Sequence, residues 1–335
     1  MSIHFKLYKK TKGFLMKEKL SFLFLIILSI LNSQEIKHKD IPLSGLITNP
    51  KQEISGLDWY GDNLVLLPEN LGGYLFMIPK DELYSSIQSK NPIPIEPRQT
   101  PFITPDYSEI IPGFEGLESI AFNGNQFVVT LEANHDGNMH GYIAWGTINP
   151  KTNEAKITDQ EPLEIPMPTQ IKNMTYESTL MDGGNVILFY EANGKNVRDS
   201  AWQPVVSIER TVSRIEYPHI EYRITDVTRL DSNNTFWAIN YLWPGDKERL
   251  NPATDFISKK FGKGTSHKKS ETVERLIQFE LTNGIIQLTN RKPIEIELDE
   301  NGSRNWEGLV RLDHNGFLIA TDKFPGSFLG FVPTK

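Results

Sequence analysis

Short apolar runs alternate with polar turns along most of the chain, a pattern typical of β-strands. In five segments, two such runs flank a turn that contains Gly, Asn or Asp; these segments are 55–69, 118–132, 177–191, 226–240 and 307–322. Turn dipeptides such as Asn123-Gly124 and Asn315-Gly316 are typical of β-hairpins. Each segment is therefore predicted to be a hairpin whose first and last residues lie side by side.

Further strand-like runs follow the hairpins, at 73–78, 141–148, 205–210 and 275–281, which gives about four strands per unit. Repeated units of four antiparallel strands are typical of a β-propeller. The fifth hairpin is followed by one run, 327–332, and the run 41–48 is predicted to supply the missing outer strand. The predicted fold is all-β, a single five-bladed β-propeller over residues 34–335 closed by an N-terminal strand. The alternatives are a six-bladed propeller, with a degenerate hairpin in 241–306, and a β-sandwich.

The N-terminal region has the features of a secretory signal. Two lysines follow Met16, an apolar run covers 20–31, and small and polar residues come next. This run is shorter than the roughly 20 residues of a membrane-spanning helix. We therefore predict a signal peptide over 1–33, starting at Met1 or Met16 and cleaved near Ser33 or Gln34. The mature protein is expected to be secreted or periplasmic, without a stable membrane span.

Composition narrows the classes of function. The chain has no cysteine, which excludes disulfides, zinc–thiolate sites, iron–sulfur clusters and cysteine nucleophiles. Its net charge of -7 argues against nucleic acid as the main partner, because a phosphate backbone requires a basic surface. We expect a monomer that binds a small anionic ligand or substrate.

The residues that open the hairpins are expected to meet on the axis, because the first strand of each propeller blade is the innermost. They are Ser55, Glu118, Glu177, Asp226 and Glu307. Carboxylates close together in a partly desolvated channel raise one another's pKa unless a cation compensates their charge. Five oxygen ligands around a channel favour Ca²⁺ over Mg²⁺ or Zn²⁺. Alternatively, these side chains only hydrogen-bond neighbouring blades and the axis holds water.

The residues that close the hairpins form a second polar ring, which consists of Glu69, Glu132, Glu191, Asn240 and Asp322. Glu132, Glu191 and Asp322 are the candidate catalytic proton acceptors. The candidate substrate-binding residues are Glu69, Asn134, His135, Asn193, Asn240 and Lys323. Alternatively, the second ring only pairs with Lys195, Arg198 or Lys323.

The insertion 246–271 follows the second strand of the fourth unit and is expected to lie over the same face. Its lysines would suit an anionic substrate that bridges metal and insertion, although such charge runs are commonly solvated loops. His135 and His140 are candidates for a proton shuttle near this face.

The opening residues of the repeats resemble the calcium-activated nucleotidase (apyrase) family of five-bladed propellers. The matching fragments are SGL at 55–57, ESI at 118–120, EST at 177–179 and EGL at 307–309. The resemblance implies a central Ca²⁺ held by Ser, Glu, Glu, Ser and Glu, with Asp226 at the fourth position here. The relatives carry arginines after the second strand of the third blade, where this chain has Tyr190 to Asn193, so phosphate binding by that arginine pair is not implied. A looser similarity links the chain to phytase-like and gluconolactonase-like propellers.

The leading hypothesis is a secreted, Ca²⁺-dependent hydrolase of a small anionic ester, above all a phosphoester or phosphoanhydride. The metal would polarise the phosphoryl oxygen while a second-ring carboxylate accepts a proton from water. One alternative is a non-catalytic envelope binding protein stabilised by Ca²⁺, since the sequence lacks a nucleophile motif such as G-x-S-x-G. Another is a lactone or carboxylic ester hydrolase that uses His135 or His140.

Overall fold

The structure is a computed structural model that describes residues 35–69, 72–300, 302–322 and 326–334. The predicted signal peptide and Lys323 lie outside these ranges. The helices in the described residues are short: α1 (Lys80–Gln88), α2 (Tyr107–Ile110), α3 (Lys247–Leu250) and α4 (Phe256–Phe261). None of the helices in these ranges is long and apolar enough to span a bilayer.

Strands make up most of the fold and form groups in chain order. Two short strands, β1 (Glu35–Ile36) and β2 (Lys39–Ile41), come first. The first group is β3 (Ile54–Tyr60), β4 (Asn63–Pro68), β5 (Gly73–Pro79) and β6 (Arg98–Ile103). The second is β7 (Phe114–Asn123), β8 (Gln126–His135), β9 (Asn138–Ile148), β10 (Ala155–Ile157) and β11 (Leu163–Ile165). The third is β12 (Tyr176–Asp182), β13 (Asn185–Tyr190), β14 (Trp202–Val206) and β15 (Val212–Glu216).

The fourth group is β16 (Arg223–Val227), β17 (Thr235–Leu242), β18 (Val273–Thr282), β19 (Ile285–Leu288) and β20 (Ile294–Ile296). The fifth is β21 (Trp306–Leu312), β22 (Gly316–Thr321) and β23 (Phe328–Pro333). Antiparallel pairs join the strands within each group, beginning with the predicted hairpin. Outer strands pair onto these hairpins in turn.

The first strands of the groups form a closed ring. In the described residues, β3 packs beside β7, β7 beside β12, β12 beside β16, β16 beside β21, and β21 beside β3. Radial packing of antiparallel sheets around a central channel defines a β-propeller. The predicted all-β propeller is confirmed. The count of five blades stays a prediction, which this cyclic order of inner strands supports.

The N-terminal segment closes the ring as predicted. Strand β2 pairs antiparallel with β23, so that Lys39 faces Phe331 and Ile41 faces Leu329. The bounds of the closing strand differ from the prediction: it covers Lys39–Ile41 and not 41–48, and Leu46–Thr48 forms a 3-10 helix. Strand β1 pairs in parallel with β20 of the fourth group.

The stretch 241–306 contributes outer strands. In its described part, β18 pairs with β17 and both β19 and β20 pair with β18, which extends the fourth group outward. A sixth blade would require an additional inner strand in this stretch. The strands found there do not supply one.

Apolar side chains fill the space between neighbouring groups. Val65 of β4 shares a buried cluster with Val129 of β8, and Trp237 of β17 shares another with Phe317 of β22. Because each sheet is covered on both faces, strands such as β4 are buried over nearly their whole length. This packing holds the inner strands at fixed positions around the channel.

Candidate functional site

Matched β-bulges place one side chain of each inner strand at the same level of the channel. In the third group, Glu177 is the extra residue between two paired positions of β12 and β13. The same irregularity isolates Ser55, Glu118 and Glu307 on β3, β7 and β21. A bulge turns its extra residue away from the ladder. Four members of the predicted ring therefore occupy equivalent positions.

The fourth hairpin is displaced by one residue from the sequence prediction. Its last regular pair before the bulge is Ile224 with Asn240, so the position that corresponds to Glu177 is Thr225 and not Asp226. The turn between β16 and β17 covers 228–234, whereas the other hairpin turns are two or three residues long. The sequence prediction assumed the same spacing in every hairpin, and it therefore placed both ends of this hairpin one residue too close to the turn. The corrected ring consists of Ser, Glu, Glu, Thr and Glu, with a hydroxyl at its fourth position. This Thr225 hydroxyl donates a hydrogen bond to the Trp306 carbonyl at 2.5 Å, so its oxygen keeps lone pairs for a cation.

Asp226 binds backbone groups instead of facing the ring. Its Oδ1 accepts a hydrogen bond from the Val227 amide at 2.8 Å, and its Oδ2 accepts one from the Leu309 amide at 2.5 Å. Burial raises the pKa of Asp226, while hydrogen bonds from backbone amides, including that of Leu57, lower it. Asp226 thus joins β16 to β21 and β3, and its position does not match the predicted metal ligand.

Tyr241 takes the second-ring position that was predicted for Asn240. The buried Asn240 donates hydrogen bonds to the carbonyls of Glu221 and Arg223 at 2.9 and 3.1 Å, and it accepts one from Arg275 Nε at 2.8 Å. All its contacts are with the protein itself. Asn240 therefore fixes the start of β16 and is not placed to bind a substrate.

The acidic members of the two rings form a cluster that we call the axial carboxylate cluster. It consists of Glu69, Glu118, Glu132, Glu177, Glu191, Glu307 and Asp322. Burial raises the pKa values of Glu118, Glu177 and Glu307 well above the ordinary range, and neighbouring carboxylates of the cluster raise them further. These three side chains are only 5–7% exposed. Their ionised forms therefore require a compensating cation.

Glu132 and Glu191 are linked through Thr175, which lies directly before β12. Thr175 Oγ1 donates a hydrogen bond to Glu132 Oε2 at 2.7 Å, and the Thr175 amide donates one to Glu191 Oε1 at 3.3 Å. Burial raises the pKa of Glu132 to about 8, although the hydrogen bond from Thr175 lowers it. Glu132 can therefore exchange a proton near neutral pH.

Arg223 is the residue of this site that the sequence analysis missed. Its guanidinium forms a buried ion pair with Glu191 through Nε, and its Nη2 lies 3.6 Å from Glu307 Oε1. Burial lowers the pKa of Arg223, but the carboxylates around it, led by Glu191, raise it well above its ordinary value. The available signal was its position as the first residue of β16, two residues before Thr225, just as Thr175 lies two residues before Glu177.

Asn305 occupies the corresponding position before β21. Its Nδ2 donates hydrogen bonds to Glu307 Oε1 at 2.5 Å and to Asp322 Oδ2 at 2.9 Å. Its Oδ1 accepts a hydrogen bond from Arg223 Nη1 at 3.3 Å. Asn305 therefore links the two rings in the fifth group to the arginine of the fourth.

The donor set suits a hard cation. The carboxylates of Glu118 and Glu177 are buried beside other carboxylates of the cluster, and oxygen atoms are the ligands that Ca²⁺ prefers. No three acidic groups of the described cluster bring ligand oxygens within 4.8 Å of one another. To bind a single ion on the axis, the side chains would have to move inward, or water molecules would have to complete the coordination. Both are compatible with Ca²⁺, whose coordination geometry is flexible and often includes water.

Of the remaining predicted substrate-binding residues, Glu69 lies in the axial carboxylate cluster, whereas Asn134 and Asn193 form hydrogen bonds with other residues of the protein. The buried Asn193 accepts hydrogen bonds from Arg198 at 2.8 Å and Gln203 at 2.9 Å, so it stabilises the loop after β13. The amide of Asn134 donates to the Gly113 carbonyl at 2.8 Å. Glu69 lies in the axial carboxylate cluster, where it raises the pKa of Glu118.

The two candidate shuttle histidines make contacts with neighbouring acids of the β8–β9 hairpin region. His135 Nδ1 lies 3.3 Å from Asp136 Oδ1, and His140 Nδ1 lies 2.8 Å from Glu164 Oε1. Their rings are 6.0 Å apart. The two histidines thus contact each other and these two acids. None of these contacts connects them to the axial carboxylate cluster.

The insertion 246–271 meets the site at its first residue. Asp246 is buried and faces Arg223, while Leu250 and Ile257 anchor the insertion in the core between groups. Among its basic residues, Lys247 pairs with Glu271 and Lys260 with Asn290. The contact of the insertion with the site is therefore acidic, in contrast to the predicted cationic cover.

A second group of potential metal ligands lies away from the axis. Ligand atoms of Glu35, His267 and Glu295 lie within 4.8 Å of one another. However, His267 Nε2 accepts a hydrogen bond from the Glu274 amide at 3.2 Å, so the proton of a neutral imidazole is on Nδ1, which lies 2.9 Å from Glu35. Neither ring nitrogen has a free lone pair for a metal. These residues instead anchor β1.

Comparisons with known proteins gave matches among solved structures only. No family model and no curated protein matches the chain. A glutaminyl cyclase from Myxococcus xanthus matches with 9% identity and a TM-score of 0.43, covering 90% of this chain and 100% of its own. A GH43_1 enzyme from Xanthomonas citri complexed with xylose matches with 8% identity and a TM-score of 0.46, covering 89% and 90%. Because these TM-scores are below 0.5, the fold rests on the strand pairings, and the matches do not indicate the reaction.

Proposed function

We propose that this protein is a hydrolase of a small anionic ester, a phosphoester or phosphoanhydride, and that the reaction takes place at the axial carboxylate cluster with bound Ca²⁺. The observation that carries the proposal is the set of equivalent bulge positions that holds Glu118, Glu177 and Glu307 buried among other carboxylates. Burying a cluster of carboxylates costs free energy. Clusters of this kind with strongly shifted pKa values occur mainly at functional sites, which favours a functional role here.

Charge balance supports the cation. Arg223 is the basic side chain that contacts the cluster in the described residues, and Glu191 already binds it. One arginine does not neutralise seven carboxylates, so an anionic substrate would be repelled without further positive charge. Ser55, Glu118, Glu177, Thr225 and Glu307 would hold Ca²⁺, which polarises a phosphoryl oxygen when bound.

Among the candidate catalytic residues, Glu132 has the most suitable surroundings. Glu191 is paired with Arg223, and Asp322 accepts a hydrogen bond from Asn305. Glu132 has a raised pKa, accepts an orienting hydrogen bond from Thr175, and forms a further hydrogen bond with the carboxyl group of Glu115. We assign it the role of accepting a proton from the attacking water. Arg223 is a positioning residue, since it fixes Glu191 and Glu307.

The predicted location and partners complete the proposal. A signal peptide over 1–33 would deliver the protein to the periplasm or the medium. In such a compartment, free Ca²⁺ concentrations suit extracellular sites of modest affinity, with dissociation constants of roughly 10⁻⁴–10⁻³ M. The ligand is a small anion, and the protein acts as a monomer.

A panel of phosphate monoesters, phosphoanhydrides and carboxylic esters tests this function. We expect turnover of one phosphate class with Ca²⁺ and its loss in EGTA. The Glu132→Gln variant should reduce kcat by about 10²–10⁴-fold. Glu164→Gln is the matched control, because Glu164 is more exposed and contacts His140. Turnover that is unaffected by both chelation and Glu132→Gln would contradict the proposal.

The alternative is a binding protein in which Ca²⁺ has a structural role. It is favoured by the self-contained contacts of Glu191 and Asp322, which the protein's own Arg223 and Asn305 satisfy. In that case Ca²⁺ would raise the melting temperature while every ester remains intact.

A further inference from the structure

Asp246 has one oxygen that is held by the protein and one that is not. Arg249 donates to Asp246 Oδ1 through Nε at 3.0 Å and through Nη2 at 2.5 Å. Asp246 Oδ2 is buried and accepts no hydrogen bond within the described residues, although the residue is only 1% exposed. A buried carboxylate oxygen without a donor is costly. It therefore points to a partner that the protein alone does not provide.

The unpaired oxygen faces Arg223. Asp246 Oδ2 lies 3.9 Å from Arg223 Nη1, which is too far for a direct hydrogen bond. An oxygen atom placed at hydrogen-bond distance from both groups fits this separation. A hydroxyl group can donate to Asp246 Oδ2 and accept from Arg223 Nη1 at the same time. A phosphate would be repelled by Asp246, and an ammonium group would be repelled by Arg223.

An exposed aromatic ring lies at the other end of the same turn. The Trp243 carbonyl accepts a hydrogen bond from the Asp246 amide at 2.9 Å, and the Trp243 indole packs on Gly245, where a Cβ would lie 2.3 Å from the ring. The side chain of Trp243 is nevertheless 52% exposed. The indole is thus packed on the residue that precedes Asp246 while much of Trp243 stays open to solvent.

We propose that Asp246 and Arg223 bind a hydroxyl group of a sugar ring and that Trp243 packs against the apolar face of that ring. With the proposed function, on which this step rests, the substrate is then a sugar ester such as a sugar phosphate. The sugar would lie beside Arg223 and the phosphate would lie at the axial carboxylate cluster. Asp246, Arg223 and Trp243 act in binding and specificity.

Binding of defined probes to the full chain with Ca²⁺ tests this subsite. Glucose 1-phosphate and ribose 5-phosphate are compared with methyl phosphate, and methyl glucoside and methyl riboside serve as neutral probes. Affinities are measured by calorimetry and by tryptophan fluorescence. We expect one sugar phosphate to bind at least about tenfold more tightly than methyl phosphate. Its monodeoxy analogue that lacks the contacting hydroxyl should lose this advantage, because the buried groups are then unpaired.

The variant Asp246→Asn makes the test specific. Arg249 requires an acceptor, so the asparagine keeps its oxygen there and turns its amide nitrogen toward Arg223, where it cannot accept a hydroxyl proton. We expect the advantage of the sugar phosphate to disappear while methyl phosphate binds as before. Trp243→Phe should weaken sugar binding several-fold and remove the fluorescence change. Lys247→Met, on the next residue but paired with Glu271, is the control without effect.

The outcomes separate this proposal from the proposed function. If no ester is hydrolysed but a neutral glycoside binds and Asp246→Asn abolishes that binding, the subsite stands and the hydrolase proposal fails. Equal affinities for sugar phosphate, deoxy analogue and methyl phosphate would overturn the subsite and identify water as the occupant of the gap. The deoxy series gives the same decision on the unmodified protein should Asp246→Asn fail to fold.

Discussion

Arg229 binds Asp58 across the channel, at the end opposite the axial carboxylate cluster. Arg229 Nε lies 2.7 Å from Asp58 Oδ1, and Nη2 lies 2.7 Å from Oδ2. Arg229 follows β16, whereas Asp58 belongs to β3, and β21 separates these two strands in the ring. Asp58 Oδ2 also accepts a hydrogen bond from the Phe122 amide of β7 at 2.6 Å. The pair therefore lies across the far end of the channel and connects three inner strands.

Removal of Arg229 should weaken the fold without affecting the site. In Arg229→Met, the buried carboxylate of Asp58 loses both charge-assisted hydrogen bonds, and we expect the free energy of unfolding to fall by about 1–3 kcal/mol. Urea denaturation measures this loss, and calcium affinity should stay unchanged. Lys80→Met removes an ion pair with Asp313, whose carboxylate is far more exposed than that of Asp58, and should therefore cost less. Equal costs for the two variants would contradict the position assigned to Arg229.

Glu177→Gln should have opposite effects with and without Ca²⁺. Without the ion, the substitution removes a buried carboxylate whose pKa is raised by burial and by Glu191. The melting temperature in EGTA should therefore rise by about 2–4 °C. With Ca²⁺, the variant should gain less stability than the unmodified protein, since it lacks one ligand. Scanning calorimetry in both buffers measures this, and a loss of stability in EGTA would count against the proposed charge crowding.

Stability should depend on pH above neutrality. Glu132 has a folded-state pKa of about 8, far above its unfolded value, so its contribution to stability is complete at low pH and is lost as pH rises through 8. Burial lowers the pKa of His38 to about 4, so its opposing contribution has ended by pH 7. In EGTA, the urea midpoint should fall between pH 7 and pH 8, and the part of the fall that Glu132 causes should end above its folded-state pKa. Ca²⁺ or Glu132→Gln should flatten this fall, whereas a rising midpoint would be inconsistent with the crowded carboxylates.

Thr225 and Asp226 should separate binding from stability. Thr225→Val removes the hydroxyl of the corrected ring, and we expect calcium affinity to fall about tenfold, equivalent to ~1.4 kcal/mol. Asp226→Ala leaves the Val227 and Leu309 amides without their acceptor, so it should cost about 1–3 kcal/mol of stability and leave calcium affinity unchanged. Calorimetric titration and urea denaturation of both variants measure the two effects. If calcium affinity fell in the Asp226 variant and stayed unchanged in Thr225→Val, Asp226 and not Thr225 would be the member of the ring.

Arg223→Met should leave Glu191 and Glu307 without their arginine. Breaking a buried ion pair costs about 3–5 kcal/mol, because the remaining charge stays desolvated. The double variant Arg223→Met with Glu191→Gln should recover part of this loss, since the unpaired carboxylate is then neutral. Urea denaturation of both single variants and the double variant gives the coupling energy. A purely additive result would mean that the two side chains do not interact.

Local pattern sufficed to predict the propeller and four members of the ring. Turn residues such as Asn123-Gly124 and Gly183-Gly184 determine where the short hairpins reverse, so Glu118 and Glu177 fall at fixed distances from their turns. The fourth hairpin has a longer turn, and the same rule displaced its ends. The length of a turn between two apolar runs is a local property, but the register that it produces depends on pairing across the hairpin.

Contacts between groups could not be predicted in this way. Arg223, Thr175 and Asn305 lie at or just before the starts of inner strands and share no sequence motif. Their roles arise from the carboxylates that the folded structure brings beside them. Asn193 and Asn240 resemble surface-loop asparagines in the sequence, yet both are buried and bonded within the protein. Such pairings depend on the distances between inner strands, which hydrophobic periodicity does not specify.

The N-terminal segment of the described chain binds two groups at once, since β1 pairs with β20 and β2 pairs with β23. Strands β2 and β23 lie near opposite ends of the described residues, so the ring closes only when two segments that are far apart in the sequence meet. Pairing of such distant segments carries a high loop-closure entropy, and we therefore expect folding to be slow.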